Sequence, residues 1–211
     1  ASTGKPLLIS TGLGVPEEID RALGWVKSET NKSSLEDQVV LLHCVTAYPT
    51  PLNEANLLSI PYLRERYGLH VGYSDHTLGL SACRTAVALG ATVIEKHFTD
   101  QKTGREFRDH ELSADPHDMQ ALVGDIQTIK ESLGHYGKSR AAIETPNLLT
   151  VRKGIVAAQD LPEGTILNAE NLMYARPATE FRSEDINILI GRTLKAAVAR
   201  GNMISREVLK N

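Results

Sequence analysis

Val71-Gly72-Tyr73-Ser74-Asp75-His76-Thr77 and Thr92-Val93-Ile94-Glu95-Lys96-His97-Phe98-Thr99 are two short apolar runs, each with a histidine near its end. Between them Leu80-Ser81-Ala82-Cys83-Arg84-Thr85-Ala86-Val87-Ala88-Leu89-Gly90 reads as a helix closed by glycine. Strand, helix and strand in that order make a parallel βαβ unit, whose two strands normally lie side by side. His76 and His97 are therefore expected at the same end of neighbouring strands, close enough to share one metal ion.

The alternation extends outward in both directions. Leu7–Ser10 reads as a strand, and Glu17–Glu29 has helical spacing with Ile19, Ala22, Leu23 and Val26 on one side and Pro16 suited to the first turn. Val39–Val45 is a continuous apolar strand, the pattern of a strand covered on both faces. Asn56–Tyr67 is expected as a helix that Pro61 kinks or interrupts. Strands follow at 70–74 and 92–98, with a helix at 80–89 between them. A last helix is expected from Asp115-Pro116, where Asp caps and Pro takes the first position, to Gly134.

Four successive βα units over residues 1–134 imply a parallel sheet, either open and doubly wound or part of a (βα)8 barrel. Four units cannot close a barrel, and a strand stands almost at the first residue. A fragment that lacks a first half, or a minimal unit, is the expectation. Residues 135–152 lack periodicity and read as a linker. Residues 153–211 carry short segments around Gly154-Ile155-Val156-Ala157-Ala158 and the turn Pro162-Glu163-Gly164-Thr165, the pattern of a small, mostly β second domain.

With 211 residues, 41% of them hydrophobic, the chain can bury a sizeable core in one or two domains. A formal charge of −3 gives no general positive field for nucleic acid or an anionic membrane, so an anionic ligand has to be held by local donors. No apolar run approaches the ~20 residues of a membrane span, and no signal peptide is read at the start. Cys44 and Cys83 lack the spacing of a zinc or redox motif. They are expected as buried free thiols of a reducing compartment, which makes the cytoplasm the expected location.

Polar residues collect where the strands finish, the place where both parallel architectures put their sites. Ser74 and His76 share one strand face, as do Glu95 and His97. Neutral imidazoles suit Mn, Fe, Co, Ni or Zn, with carboxylate or substrate oxygens completing the shell. Two histidines without a cysteine argue for an open site rather than a closed structural zinc, with the metal acting as a Lewis acid on a carbonyl. The plain alternative is one hydrogen-bonded core histidine and one surface histidine. Ser10-Thr11-Gly12 ahead of a helix suits phosphate, or simply a tight turn. Tyr48, in the stiff Tyr48-Pro49-Thr50-Pro51 loop, walls a pocket or packs. Arg105 to Asp109 is a charged loop, either simply solvated or, through Asp109, able to grip a polyhydroxylated substrate. Arg176 reads as an exposed arginine.

Taken together, Lys5-Pro6-Leu7-Leu8-Ile9-Ser10-Thr11-Gly12, Leu42-His43-Cys44-Val45-Thr46-Ala47-Tyr48-Pro49-Thr50-Pro51, Gly72-Tyr73-Ser74-Asp75-His76-Thr77, Ala86-Val87-Ala88-Leu89-Gly90-Ala91 and Ile94-Glu95-Lys96-His97-Phe98-Thr99 resemble the N-acetylneuraminate (sialic acid) synthase family. Gly154-Ile155-Val156-Ala157 and Asn171-Leu172-Met173-Tyr174-Ala175-Arg176-Pro177 are similar to that family's C-terminal SAF, or antifreeze-like, domain. The resemblance implies an α/β chain: the C-terminal half of a (βα)8 TIM-type barrel, followed by a small SAF/β-clip domain in a domain-swapped homodimer. It implies a transferase that condenses phosphoenolpyruvate with an N-acetylated hexosamine and water, releasing phosphate, with divalent manganese as cofactor and magnesium or cobalt as alternatives.

By the same resemblance His76 and His97 would be the metal ligands, and Ser10, Ser74 and Thr46 would contact phosphoenolpyruvate. Thr46 takes the place of an asparagine found in some members. Tyr48 and Asp109 would line the sugar site, with His76, His97 and Asp109 as the catalytic set. Arg176 would reach from the SAF domain of one subunit toward the sugar of the other. Phe107-Arg108-Asp109-His110 replaces the commoner Gly-Pro-Asp, keeping the aspartate. Other readings are a non-catalytic metal-binding or dimerisation module, a different metal-dependent aldolase, or a synthase for legionaminic, pseudaminic or spore-coat sugars.

Overall fold

The structure is a computed structural model, and it describes residues 1–30, 34–106, 109–178 and 180–210. It divides into two compact units, Ala1–His135 and Tyr136–Asn211. In the first unit β1 (Leu7–Ser10), β2 (Val39–Cys44), β3 (His70–Asp75) and β4 (Ile94–Lys96) pair in parallel in sequence order, forming a curled half-barrel. The connecting helices are α1 (Pro16–Thr30), α2 (Ser59–Tyr67) and α3 (Ser81–Ala88). The short α4 (Asp109–Leu112) and the long α5 (Pro116–Leu133) follow β4.

Period-two alternation decides what each strand face carries. Leu41, Val71 and Tyr73 face the helices and pack with Ile19, Ile60, Leu63, Ala82 and Ala86 in one core. The intervening residues, among them Leu42, Gly72 and Ser74, turn to the other face. A Cβ on Gly72 would lie 2.6 Å from both the Val93 carbonyl oxygen and Leu42 Cδ2, so only glycine lets β3, β2 and the approach to β4 lie this close. A second cluster of Leu80, Cys83 and Leu122 fastens α3 to α5, with Ile94 against it.

Several elements differ from the sequence expectation. The second helix starts at Ser59 rather than Asn56, and Pro61 falls in its first turn, where a missing N–H costs nothing, so no kink results. The fourth strand is confined to three register pairs, Tyr73↔Ile94, Ser74↔Glu95 and Asp75↔Lys96. Beyond it the chain turns to pair with the segment after α4: Ala114 N–H donates to the His97 carbonyl at 2.7 Å and Thr99 N–H to the Ala114 carbonyl at 2.9 Å. α4 was not expected at all. α5 begins as expected, with Asp115 accepting from Asp118 N–H at 2.8 Å, the Asp118 carboxylate returning the bond, and Pro116 behind the cap. Such a cap contributes about 1 kcal/mol.

The second unit holds an antiparallel pair, β5 (Gly154–Ala157) and β6 (Leu172–Ala175), and isolated bridges such as Val156↔Met203 and Leu161↔Val198. Its core gathers Ile155, Leu161, Leu167, Leu189, Leu194 and Ile204. Ahead of it, residues 142–147 form a 3-10 turn and Leu148–Val151 a helical turn (α6), tied in by a bond from Ala178 N–H to the Leu149 carbonyl. Ile186–Leu189 makes one further helical turn (α7). No helix among the described residues is long and apolar enough to cross a membrane.

Candidate functional site

β3 ends at Asp75, so His76 is the first residue of the loop beyond the strand, and it is 6% exposed. Its Nδ1 lies 2.8 Å from the Val45 carbonyl oxygen, and its own carbonyl accepts from Thr50 N–H at 2.9 Å. A carbonyl can only accept, so Nδ1 carries a proton, and in the neutral tautomer the lone pair is on Nε2. An imidazole held by one nitrogen with the other available is the arrangement found in metal-ligating histidines. His97 is half-buried just past β4, with its Nδ1 3.6 Å from Asp109 Oδ2.

The two imidazole rings meet edge to face with centroids 5.3 Å apart. Tyr48 covers both, 4.2 Å from the His76 ring and 5.8 Å from that of His97. Two imidazoles on one ion, at metal–nitrogen distances of about 2.1 Å, have ring centres roughly 4.5–5.3 Å apart. The 5.3 Å ring separation falls at the upper edge of that range, so the spacing of the pair is compatible with one divalent ion whose remaining positions are left for oxygen.

A row of polar side chains runs across the same strand ends. Ser10 Oγ and Cys44 Sγ are 2.8 Å apart, Cys44 stands opposite Ser74 in register, and Ser74 Oγ–H donates to Glu95 Oε1 at 2.6 Å. Ser74 is buried, whereas Ser10, Thr46 and Glu95 are exposed. Thr46 places its hydroxyl against Gly12, where it and the Cys44 thiol leave no room for a Cβ. The structure thus brings His76, His97, Tyr48, Ser74 and Asp109 together and sets Ser10 and Thr46 at the β1 and β2 ends of the row. Arg176 lies in the second unit, exposed directly after β6. Phe107 and Arg108 lie outside the described residues.

Behind this row, on the helix-facing side, is a network that the sequence did not disclose. Lys96 Nζ donates to Asp75 Oδ2 at 2.7 Å and to the Thr77 carbonyl at 2.9 Å, with the two side chains 1% and 0% exposed. Asp75 also accepts from Thr77 N–H at 2.9 Å, from the Cys83 thiol at 3.1 Å and from the Tyr73 hydroxyl at 3.1 Å. Burial pushes the Asp75 carboxyl up. The Lys96 ammonium, Thr77 N–H and Cys83 thiol outweigh it and hold the group below the usual carboxylate range. Burial, and then the Asp75 charge, push the Cys83 thiol and the Tyr73 hydroxyl far up, so both stay protonated and act as donors. The available signal was positional: Asp75 and Lys96 each immediately precede one of the paired histidines. Glu95 was also overlooked as a site residue, although strand alternation placed it on the face of His97.

Among the described residues one group of three metal-ligating side chains lies elsewhere, Asp115, His117 and Asp118. Its carboxylates already cap α5 and pair with Lys102. His43, buried on the helix-facing side of β2, gives Nε2–H to the Ala55 carbonyl at 2.8 Å.

Residues 1–138 match the NeuB family. The chain belongs to that family. Its residues 152–208 match the SAF domain, so this NeuB-family chain joins the two units described above in the order barrel segment, SAF domain. It is 39% identical over 178 residues to the N,N'-diacetyllegionaminic acid synthase of Campylobacter jejuni, covering 84% of this chain and 52% of that one. It is 30% identical over 213 residues to the human N-acetylneuraminate-9-phosphate synthase, covering 100% of this chain and 57% of that one. The chain thus spans about half the length of these curated relatives. A solved structure from Chromobacterium violaceum superposes with a TM-score of 0.70 at 26% identity, over 99% of this chain and 61% of that one.

Proposed function

We propose that the intact protein containing this chain condenses phosphoenolpyruvate with an N-acetylated hexosamine and water to give a nonulosonic acid and phosphate. The observation that carries this reading is the pairing of His76 and His97, one with its Nε2 freed by the bond from Nδ1 to Val45, at the spacing of a shared ion. His76 and His97 would hold a divalent ion, manganese in this reading. Bound there, it supplies Lewis-acid polarisation of the sugar aldehyde.

The remaining roles belong to the side chains themselves. Ser10, Thr46 and Ser74 present hydroxyls to phosphoenolpyruvate, whose anionic charge the net-negative chain can hold only through local donors. Ser74 spends its proton on Glu95 in the free protein. Donating to the substrate therefore means exchanging Glu95 for the incoming anion. Tyr48 forms an apolar wall that keeps the histidine rings in place and water away from one side of them. Asp109 accepts from sugar hydroxyls. In the condensation the enol carbon bonds to the aldehyde carbon as the C=O π bond opens. Water adds its hydroxyl to the carbon that bore the phosphate, and its proton balances the aldehyde oxygen that becomes a hydroxyl. The bond from that carbon to the phosphate oxygen breaks to release phosphate. Arg176 covers the sugar of the opposite subunit in a domain-swapped homodimer. The buried free thiols Cys44 and Cys83 support a cytoplasmic enzyme.

The higher identity to a diacetyllegionaminic acid synthase than to the human N-acetylneuraminate-9-phosphate synthase favours a diacetylated hexose over a phosphorylated N-acetylhexosamine. Phosphate release by the intact protein with manganese, measured against a panel of aminosugars, tests both levels. Release only when an N-acetylated hexosamine is present is expected, fastest with the diacetylated precursor. No release with any N-acetylated hexosamine overturns the proposal.

A further inference from the structure

The histidines that face each other across the strand ends have neighbours that do the same on the opposite side of the sheet. Asp75 precedes His76 and Lys96 precedes His97, and these two are joined by the buried ion pair. Lys96 Nζ also binds the Thr77 carbonyl, so one ammonium grips the residues on both sides of His76. Asp75 Oδ1 closes the same turn by accepting Thr77 N–H. The β3–β4 ladder ends at Asp75↔Lys96. Among the described residues no ladder pair beyond it fixes His76 relative to His97, and the Asp75–Lys96 side-chain contact sits at the final register pair before the histidines. At 1% exposure, with both acceptors within 2.9 Å, Lys96 is not available to a substrate. Its function has to be exerted through its neighbours.

We propose that Asp75 and Lys96 are positioning residues that set the separation and orientation of the His76 and His97 rings, so that the two imidazoles meet one divalent ion without rearrangement. The proposal rests on the reading of these histidines as metal ligands. It explains why a fully buried ion pair stands here: such pairs add little net stability over apolar packing, yet they fix geometry.

The test measures manganese binding by the intact, metal-free protein, from the electron paramagnetic resonance signal of free Mn2+, alongside the melting temperature. The variants are Asp75→Asn, Lys96→Met, the double variant Asp75→Asn/Lys96→Met, His76→Ala, and Leu63→Ala as a control in the core away from the pair. Manganese affinity is expected to fall about 10–100-fold in both single clamp variants, the range seen when groups orienting metal ligands are removed. The double variant leaves no unpaired buried charge, so it is expected to recover melting temperature but not affinity. Leu63→Ala is expected to lose melting temperature and keep affinity. Excess manganese should restore turnover in the clamp variants. A double variant that binds manganese as the parent does would overturn the proposal. If the parent and His76→Ala bind manganese alike, the metal reading itself falls, and the clamp with it. Weakened binding by His76→Ala with unchanged binding by the clamp variants removes the clamp alone.

Discussion

The ends of β3 and β4 and the ends of β1 and β2 lie in one sheet and both carry polar residues, yet they are fastened by opposite means. Behind the β3–β4 end the fold buries a charge and keeps it, the Asp75 carboxylate on Lys96. Behind the β2 end it buries His43, and desolvation holds that ring neutral although its bond to the Ala55 carbonyl opposes the shift. On the other face the β1–β2 end is joined by neutral contacts, Ser10 Oγ to Cys44 Sγ at 2.8 Å and Thr11 Oγ1–H to the Leu42 carbonyl at 3.0 Å. In the proposed site two ring nitrogens would meet a single ion within tenths of an ångström, whereas hydroxyls around an anion would adapt by rotation. On that proposal the charged fastening stands where the chemistry tolerates least movement.

The largest effect should come from removing the cation alone. Lys96→Met leaves the Asp75 carboxylate fully buried without its strongest partner, which costs about 3–5 kcal/mol at neutral pH. Cys44→Ala at the neutral end deletes one thiol–hydroxyl contact and a small buried volume, for about 1–2 kcal/mol. Urea unfolding of both variants measures the gap. Equal losses would break the distinction between the two ends.

A smaller contrast separates two glycines. Alanine at Gly72 drives a methyl group into the Val93 carbonyl oxygen and Leu42 at 2.6 Å, and a backbone carbonyl in a parallel ladder has nowhere to go. Overpacking of that kind costs about 1–3 kcal/mol. Alanine at Gly12 meets the hydroxyl of the exposed Thr46 and the buried Cys44 thiol at 2.9 Å, both of them side-chain atoms rather than backbone. Gly12→Ala is expected to cost less than Gly72→Ala in the same melts. Amide exchange near β4 should rise only for Gly72→Ala, and a larger loss at Gly12 would show that the neutral end is the stiffer one.

The two ends were not equally legible from sequence. Parallel neighbours and paired histidines followed from apolar runs of strand length around a short helix, a pattern set by local periodicity. The Asp75–Lys96 pair was hidden because hydropathy marks a charged residue in a strand as outward-facing. Only the partner on the next strand, 21 positions away, makes burial tolerable. α4 escaped because four residues in a charged stretch have no periodicity to read, and His97 was placed inside a strand because pairing with Ala114 is non-local. Pro61 was read by its usual effect in a helix interior, whereas its position in the first turn makes it harmless. Arg176 shows the opposite limit: the resemblance marks it, but it lies in the second unit and its role exists only in the proposed dimer.

The smallest expected effect concerns His43, and it carries a sign. Burial lowers its pKa in the folded protein relative to the unfolded chain, where an imidazole titrates near about 6.5. Below that value the unfolded state takes up the proton first. The stabilisation from keeping the ring neutral is therefore complete above about pH 6.5, and it is lost as the pH falls through the lower folded value. One such group changes stability by at most about 1.4 kcal/mol per pH unit. Denaturant midpoints of the parent between pH 7.5 and pH 5, minus those of His43→Gln, isolate this contribution from the carboxylates that both proteins share. The parent should lose more stability than His43→Gln across that interval, because glutamine keeps a donor for the Ala55 carbonyl and has no proton to take up. Parallel pH profiles would mean that the β2 end tolerates a charged ring, and the contrast between a buried charge kept at one end and refused at the other would no longer hold.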